Sequence, residues 1–336
     1  MADTPHAPIA ISMGEPAGIG PDLILRLYAE RQKHRLPPFI VVGNMGFLAA
    51  RARRLGLDIS FAATAPDAAA SQFAVSLPIL HVDGLVPDKP GEASMLSGKA
   101  VIESINRATT ETLNGTARAL VTAPIHKAAL YNAGFKYPGH TEYLASLCAE
   151  GGTVPHSVMM LAHDDLRVAP LTIHVPLRDV PAHVTGKLLR DTALVIEHDL
   201  RTRFGIETPK LAVAGLNPHA GEAGSIGTED RDIILPAVID LQHNGLSIEG
   251  PIAADSLFHL PRWRSYDCVI AMYHDQALIP IKTVAFDDAV NVTLGLPIVR
   301  TSPDHGTAFD LAGSGKGSVN SMLAAIRLAD RLTASA

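Results

Sequence analysis

The sequence predicts an α/β protein of layered architecture with a largely parallel sheet, and three observations carry that expectation. Short runs rich in Val, Ile and Leu alternate with longer amphipathic segments, turn-like breaks separate them, and polar functional groups gather just past the runs. Strands feeding crossover helices, with loops at the strand ends, produce this pattern.

In chain order, Ile9 to Ser12, Phe39 to Val42, Ile79 to Val82, Ala119 to Thr122, Ser157 to Ala162, Leu171 to Val175 and Leu211 to Leu216 read as strands. Cys268 to Met272, Val290 to Leu294 and Ile298 to Thr301 continue the series. Pro21 opens a helix, since a proline in the first turn gives up no needed donor. Gly98 to Leu113, Thr185 to Phe204, Glu229 to Asn244 and Ser318 to Thr333 are the long helical patterns. His163 to Asp165, between two apolar runs, reads as a hairpin turn and so an antiparallel excursion in mid-chain. The Ala-rich stretch Phe61 to Phe73 reads as a short surface helix or loop, and no internal repeat is visible.

Composition bounds the function. A chain of 336 residues suggests one large or two ordinary domains with ample core. A net charge of -6 with scattered Lys and Arg argues against nucleic-acid and membrane-surface partners, leaving small molecules. Cys148 and Cys268 imply no disulfide framework and fit a reducing compartment as buried small side chains. The N-terminus MADTPHAPIAIS lacks the regions of a signal peptide, and no apolar run approaches the roughly 20 residues of a membrane span. A cytoplasmic protein is expected.

Candidate chemistry concentrates between Ala271 and Gly313, where Tyr273, His274, Asp275, Lys282, Asn291, Arg300, Asp304 and His305 flank strand-like runs. Rigid scaffolds present ligand-binding loops in this way. Ser12 to Leu23 is a Gly-rich strand-to-helix loop whose spacing is not the dinucleotide fingerprint; a tight turn explains it equally, and Glu15 there reads as a solvated or helix-start charge. Thr122 to Lys127 and Tyr137 to Ala145 form a second segment: Thr141 is a candidate N-cap, and His140 either caps and packs or contacts a phosphate or carboxylate. His174, His219 and His274 each end or follow a strand, so three imidazoles can converge at one sheet edge around a borderline ion such as zinc or cobalt; each alone reads more readily as structural than as a ligand. Asp255 and Asp275 can orient those rings or cap helices.

The segments SMGEPAGIGPDL, TAPIHK, GHTEYLA, HVPLRDVP, LNPHAGE, GSIGTED, ADSLF, AMYHDQALIPIK and NVTLGLPIVRTSPDHGTAFDLAG resemble, in order and over nearly the whole chain, the 4-hydroxythreonine-4-phosphate dehydrogenase family of pyridoxal phosphate biosynthesis. Isocitrate and isopropylmalate dehydrogenases are similar more distantly, through Gly18 to Pro21 and His305 to Ala308. The resemblance implies two α/β/α domains around a central cleft rather than a Rossmann fold. Residues 1–135 plus 296–336 would form the nucleotide side, and 136–295 the side carrying metal, substrate and dimer interface. It implies a metal (Zn, Co, Mg or Mn) on His174, His219 and His274, one of them from a neighbouring subunit of a homodimer. Substrate contacts would come from His140, Thr141, Lys282, Asn291 and Arg300; NAD or NADP would lie along Asp304, His305, Gly306 and Thr307, with Asn320 near the adenine. Lys282, Asp255 and Asp275 are unranked candidates for the proton acceptor.

The implied reaction oxidises 4-phosphooxy-L-threonine to a 2-amino-3-oxo acid, which decarboxylates to 3-amino-2-oxopropyl phosphate. Dehydrogenases of four-carbon sugar-acid phosphates or aromatic cis-dihydrodiols are the alternatives within the family, and a zinc hydrolase or aldolase using no nucleotide is the alternative outside it. Gly317 and Ser318 depart from the alanine and acidic residue expected there, which bears on the adenine end.

Overall fold

Apolar runs too short for helices and flanked by turns become strands once both faces can be covered. In a computed structural model describing residues 7–164 and 166–334, these are β1 Ile9–Ser12, β2 Phe39–Gly43, β3 Phe61–Ala63, β4 Leu77–His81, β5 Ala119–Thr122 and β6 Val158–Ala162. Next come β7 Arg167–Pro170, β8 Lys210–Ala214, β9 Ser247–Ile252, β10 Cys268–Ala271, β11 Val290–Leu294 and β12 Arg300–Pro303. Met1 to His6 of the N-terminal stretch and Asp165 of the expected hairpin turn lie outside the described residues.

The described chain divides into two units, residues 7–155 with 296–334 and residues 156–164 with 166–295. Residues 136–155, expected with the second domain, belong to the first. The Tyr143 ring packs on Phe135 and Tyr137, and its hydroxyl donates to Asn106 Oδ1. The helix His140–Leu147 is thereby fastened to the helix Gly98–Leu113.

Within the first unit the strand order is β3-β4-β2-β1-β5-β12, with every pairing parallel. Parallel strands need crossover helices, and their faces are then buried on both sides. Gly98–Leu113 shows how its sequence fits one: Ala100, Val101, Ser104, Ile105, Ala108, Thr109 and Thr112 recur at helical spacing and are buried. Ser104 pins this helix to the strand ends, its hydroxyl accepting from Met13 N at 3.0 Å and donating to Val42 O at 2.6 Å.

The second unit has the order β11-β6-β7-β10-β8-β9. Its first two pairings are antiparallel, that of β6 with β7 as the mid-chain hairpin predicts, and the rest are parallel. Its core gathers Leu161, Val168, Ala212, Trp263, Val269 and Ile281 beneath the helix His274–Val284.

Three strands differ most from the sequence reading. The strand expected at Leu171 to Val175 lies earlier, at β7. Leu171 and Thr172 still donate to Ala271 O and Met272 O at 2.7 and 3.3 Å, after which the chain leaves the sheet before His174. Phe61–Ala63 is a strand at the sheet edge, where three residues show too little alternation to read. SIEGPI carries Gly and Pro, which demote a strand in sequence, yet it is tolerated as β9 because it too is an edge.

Candidate active site

In the first unit the Gly-rich loop after β1 sits directly on the loop after β5. Glu15 N donates to Pro124 O at 2.9 Å, and a Cβ on Gly14, whose φ is +71°, would come within 2.7 Å of Ala123 Cβ. Glu15 is not a solvated charge: it is 1 % exposed. Its Oε1 accepts from Ala17 N at 3.1 Å, while Oε2 has no partner among the described residues. Burial pushes its carboxyl up, against the opposing pull of the Ala17 N–H and the His126 imidazole.

Gly139, not Thr141, is the N-cap of His140–Leu147, so His140 and Thr141 are its first two helical residues. Both stand where backbone N–H groups lack helical partners and anions are favoured. His140 as a whole is half-buried, but its Nε2 is sealed from solvent without a hydrogen-bond partner among the described residues. Burial, reinforced by the charges of Arg300 and Lys127, holds this imidazole well below its usual range. It is neutral at pH 7. Arg300 begins β12 and is 2 % exposed, with Nε and Nη2 donating to Thr122 Oγ1 at 3.2 and 2.6 Å. Burial lowers its pKa to about 10, which still leaves the guanidinium charged at neutrality. His140 and Arg300, close enough for the guanidinium charge to act on the imidazole, lie with Thr141 in one unit.

Residues 304–313 are laced to the Gly-rich loop. Ile19 N donates to Thr307 O at 2.8 Å, and a Cβ on Gly18 would meet that same oxygen at 2.9 Å. Gly313 N donates to Asp22 Oδ2 at 2.6 Å, and Asp22 Oδ1 accepts from the fully buried Arg51 at 2.5 Å. Arg51 also donates to Pro16 O at 2.5 Å and to Asp88 at 2.6 Å. Asp304 N donates to Ser321 Oγ, His305 Nδ1 contacts Gly306 O, and the open space around Gly306 leaves its backbone approachable. Asn320 starts the last helix and is exposed. Gly317 has a packing reason: a methyl there would meet Ile19 Cδ1 at 2.1 Å, so Ile19 would have to turn aside.

In the second unit β7, β10 and β8 are adjacent and parallel, so His174, His274 and His219 leave the same end of the sheet. The rings of His174 and His274 lie 6.1 Å apart, inclined at 38°. His274 opens the helix His274–Val284, and its Nδ1 contacts Asp275 Oδ1 at 2.7 Å, which leaves Nε2 as the nitrogen suited to a ligand bond. His219 lies in a left-handed turn, residues 219–223 all having positive φ, and is exposed. Among the described residues of this single chain, no group of three or more His, Cys, Asp or Glu side chains is placed to hold a metal ion. Two of the trio are brought together; His219 does not join them.

Asp275 and Lys282 lie seven positions apart on that helix and so share a face. Lys282 Nζ also lies 5.7 Å over the Phe286 ring. Asn291 is half-buried in β11. Asp255 is exposed, and its carboxylate accepts from Ser256 N at 2.8 Å in the first turn of a short helix.

The pyridoxal phosphate biosynthetic protein PdxA family model matches residues 35–329. The chain belongs to this family. Among its relatives, the 4-hydroxythreonine-4-phosphate dehydrogenase of Methylorubrum populi is 50 % identical over 328 residues, covering 97 % of this chain and 94 % of the relative. The enzyme of that name from Bradyrhizobium diazoefficiens is 48 % identical over 342 residues, covering 99 % of each chain. A crystal structure of 4-hydroxythreonine-4-phosphate dehydrogenase from Klebsiella pneumoniae superposes with a TM-score of 0.84 at 36 % identity, covering 97 % of this chain and 99 % of that one.

Two residues that shape this member's site carry no role in the sequence reading. Asp230, 1 % exposed, accepts from Leu216 N at 2.8 Å and from Asn217 N at 3.0 Å, holding the turn that carries His219. Gln276 accepts from Met272 N at 2.6 Å and donates to Gly215 O at 2.8 Å, tying the root of that turn to the end of β10. The only available signal was an acidic residue at the start of a helical pattern, which ordinarily reads as a cap.

Proposed function

We propose that this family member oxidises 4-phosphooxy-L-threonine at its 3-hydroxyl with NAD or NADP and a divalent metal ion, in pyridoxal phosphate biosynthesis. The 2-amino-3-oxo acid formed then decarboxylates to 3-amino-2-oxopropyl phosphate. The observation carrying this reading is the sealed, neutral His140 beside buried Arg300 and near Lys127, which suits a substrate bearing phosphate and carboxylate.

In the first unit, Arg300 offers planar donors, Thr141 a hydroxyl and helix-start N–H groups, and His140 a polar nitrogen already stripped of water, so anion binding costs little further desolvation. In the second unit, Lys282 adds a point charge and Asn291 neutral donors. The facing imidazoles of His174 and His274 fit a borderline divalent ion, and Asp275 fixes the tautomer of His274. Such an ion supplies Lewis acidity at the hydroxyl and at the enolate oxygen, and the nucleotide takes up the hydride. The hydroxyl proton passes to a base among Asp275, Asp255 and Lys282, the last only in its neutral amine form. The two electrons of the C–H bond leave as hydride. The C–C bond to the carboxylate then breaks, and its electron pair enters the enolate that is reprotonated.

A homodimer follows from the same reading. Leu177, Ile279 and Phe286, near His174 and His274 in the chain, are 70 %, 64 % and 75 % exposed, an apolar cost that a second copy would remove while supplying the missing imidazole. No helix among the described residues is long and apolar enough to cross a membrane.

Purified protein assayed with 4-phosphooxy-L-threonine, four-carbon sugar-acid phosphates and an aromatic cis-dihydrodiol, each with NAD and with NADP, tests the assignment. Reduced nucleotide should form fastest with the first. His219→Ala should lose bound metal and turnover while remaining a folded dimer by sedimentation. Full-rate turnover by metal-depleted wild type, or turnover of any of these compounds without nucleotide, would sink the proposal.

A further inference from the structure

Two buried polar atoms in the first unit are left unused by the chemistry above. Glu15 Oε2 and His126 Nδ1 are both sealed from water and without a hydrogen-bond partner among the described residues. Both lie at the root of the 304–313 loop. Glu15 begins the turn whose Gly18 and Ile19 abut Thr307, and the His126 ring meets Phe309 edge-on with centroids 5.1 Å apart. Their own loops are joined through Glu15 N and Pro124 O, and the imidazole is near enough for its charge to act on the carboxyl.

We infer that Glu15 and His126 form the subsite for the nicotinamide carboxamide, with the Glu15 carboxylate offsetting the positive charge of the oxidised ring. The inference rests on the dinucleotide reading above and adds residues to it. A carboxamide offers an NH2 donor and a carbonyl acceptor side by side; Glu15 Oε2 accepts from the first, and His126, protonated on Nδ1, donates to the second. Unpaired buried polar atoms weaken a fold, and a ligand that pairs with both recovers that loss on binding. A phosphate group matches this pair poorly, since a buried carboxylate repels it, and an adenine, whose N6–H2 and ring nitrogen offer a similar donor and acceptor, brings no cationic ring for the carboxylate to offset. Burial pushes the free carboxyl towards its neutral form. Arrival of a cationic ring reverses that pressure, so the oxidised nucleotide gains from Glu15 what the neutral reduced ring does not.

The test is calorimetric titration of wild type and Glu15→Gln with oxidised and reduced NAD and NADP, and with the oxidised 3-acetylpyridine analogue, which lacks the NH2 group. Gln keeps the oxygen that accepts from Ala17 N. The variant is expected to bind both forms more weakly, since both carry the NH2 group, with the loss for the oxidised form about tenfold larger because it alone brings the ring charge. Wild type should bind the analogue about tenfold more weakly than the natural cofactor, and the variant should lose that preference. Unchanged oxidised-nucleotide affinity in Glu15→Gln, or a wild type indifferent to the analogue, overturns the inference while leaving the dehydrogenase reading intact. A wild type that binds no nucleotide overturns both. Should the variant fail to fold, the analogue comparison on wild type decides alone.

Discussion

The two units handle ionisable side chains differently. In the first, Arg300, Arg51, Asp22 and Glu15 are buried and His140 has a sealed ring nitrogen, whereas in the second the candidate ligands and bases His174, His219, Asp255 and Asp275 are exposed and the buried Asp199 and Asp230 accept from backbone N–H groups. An all-parallel sheet covered on both faces excludes water from its strand ends, so a charge placed there is oriented by its own fold. The mixed sheet of the second unit presents its imidazoles outward and gathers two of three in one chain. Burial fixes the surroundings of the candidate residues in one unit, and exposure leaves those of the other beside solvent.

The sharpest way to break this contrast is Arg300→Lys. A buried guanidinium bonded through two nitrogens to Thr122 is not replaced by an ammonium. The value of kcat/KM should fall about a hundredfold, corresponding to about 2.7 kcal/mol of lost transition-state binding, with bound metal unchanged. Equal activity would mean that the buried cation does not touch substrate. Next is Arg51→Met, which strands Asp22 and frees Pro16 O; denaturant midpoints should report a loss of about 3–5 kcal/mol. An exposed counterpart such as Lys187→Met, whose partner Asp191 lies on the surface, should change stability by less than about 0.5 kcal/mol.

In the second unit Asp230→Asn tests whether the left-handed turn is held for binding. It removes the charge that accepts from two backbone N–H groups, and affinity for Zn2+ measured by calorimetry should drop about tenfold to a hundredfold. A fall in thermal stability with unchanged metal affinity would make the role purely structural. The smallest effect is in pH dependence. His140 stays neutral when folded but takes up a proton near its ordinary value of 6.5 when unfolded. The unfolded chain then binds more protons, so this contribution is complete above about pH 6.5 and is lost as the pH falls below it. Melting temperatures of wild type between pH 7.5 and 5 should decline more steeply than those of His140→Gln; parallel curves would show that the imidazole is charged in the folded protein.

Much of the scaffold was legible from pattern. β1, β5, β11 and the helix Gly98–Leu113 begin and end where apolar periodicity starts and stops. The hairpin in mid-chain announced the antiparallel pairing of β6 with β7, while that of β6 with β11 was not legible. The edge strands β3 and β9 were not legible, because an edge relaxes the rules by which a strand is recognised. Candidate site residues stood out where polar groups flanked apolar runs, as with His274 and Arg300, or preceded a helix, as with His140. Glu15 stood out too, yet its environment did not: nothing in SMGEP tells a solvated carboxylate from one that is 1 % exposed.

The sequence by itself determined the layer class, the alternation of strand and helix, and the strand ends from which functional groups project, since these depend on local periodicity and turn chemistry. Tertiary structure alone decided which of those groups are sealed from water and which face it, which loops are laced together by Arg51 and Asp230, and that His174 meets His274 while His219 does not join them. Burial and charge depend on distance through space, and residues 178 positions apart, such as Arg300 and Thr122, become neighbours only when the sheet forms.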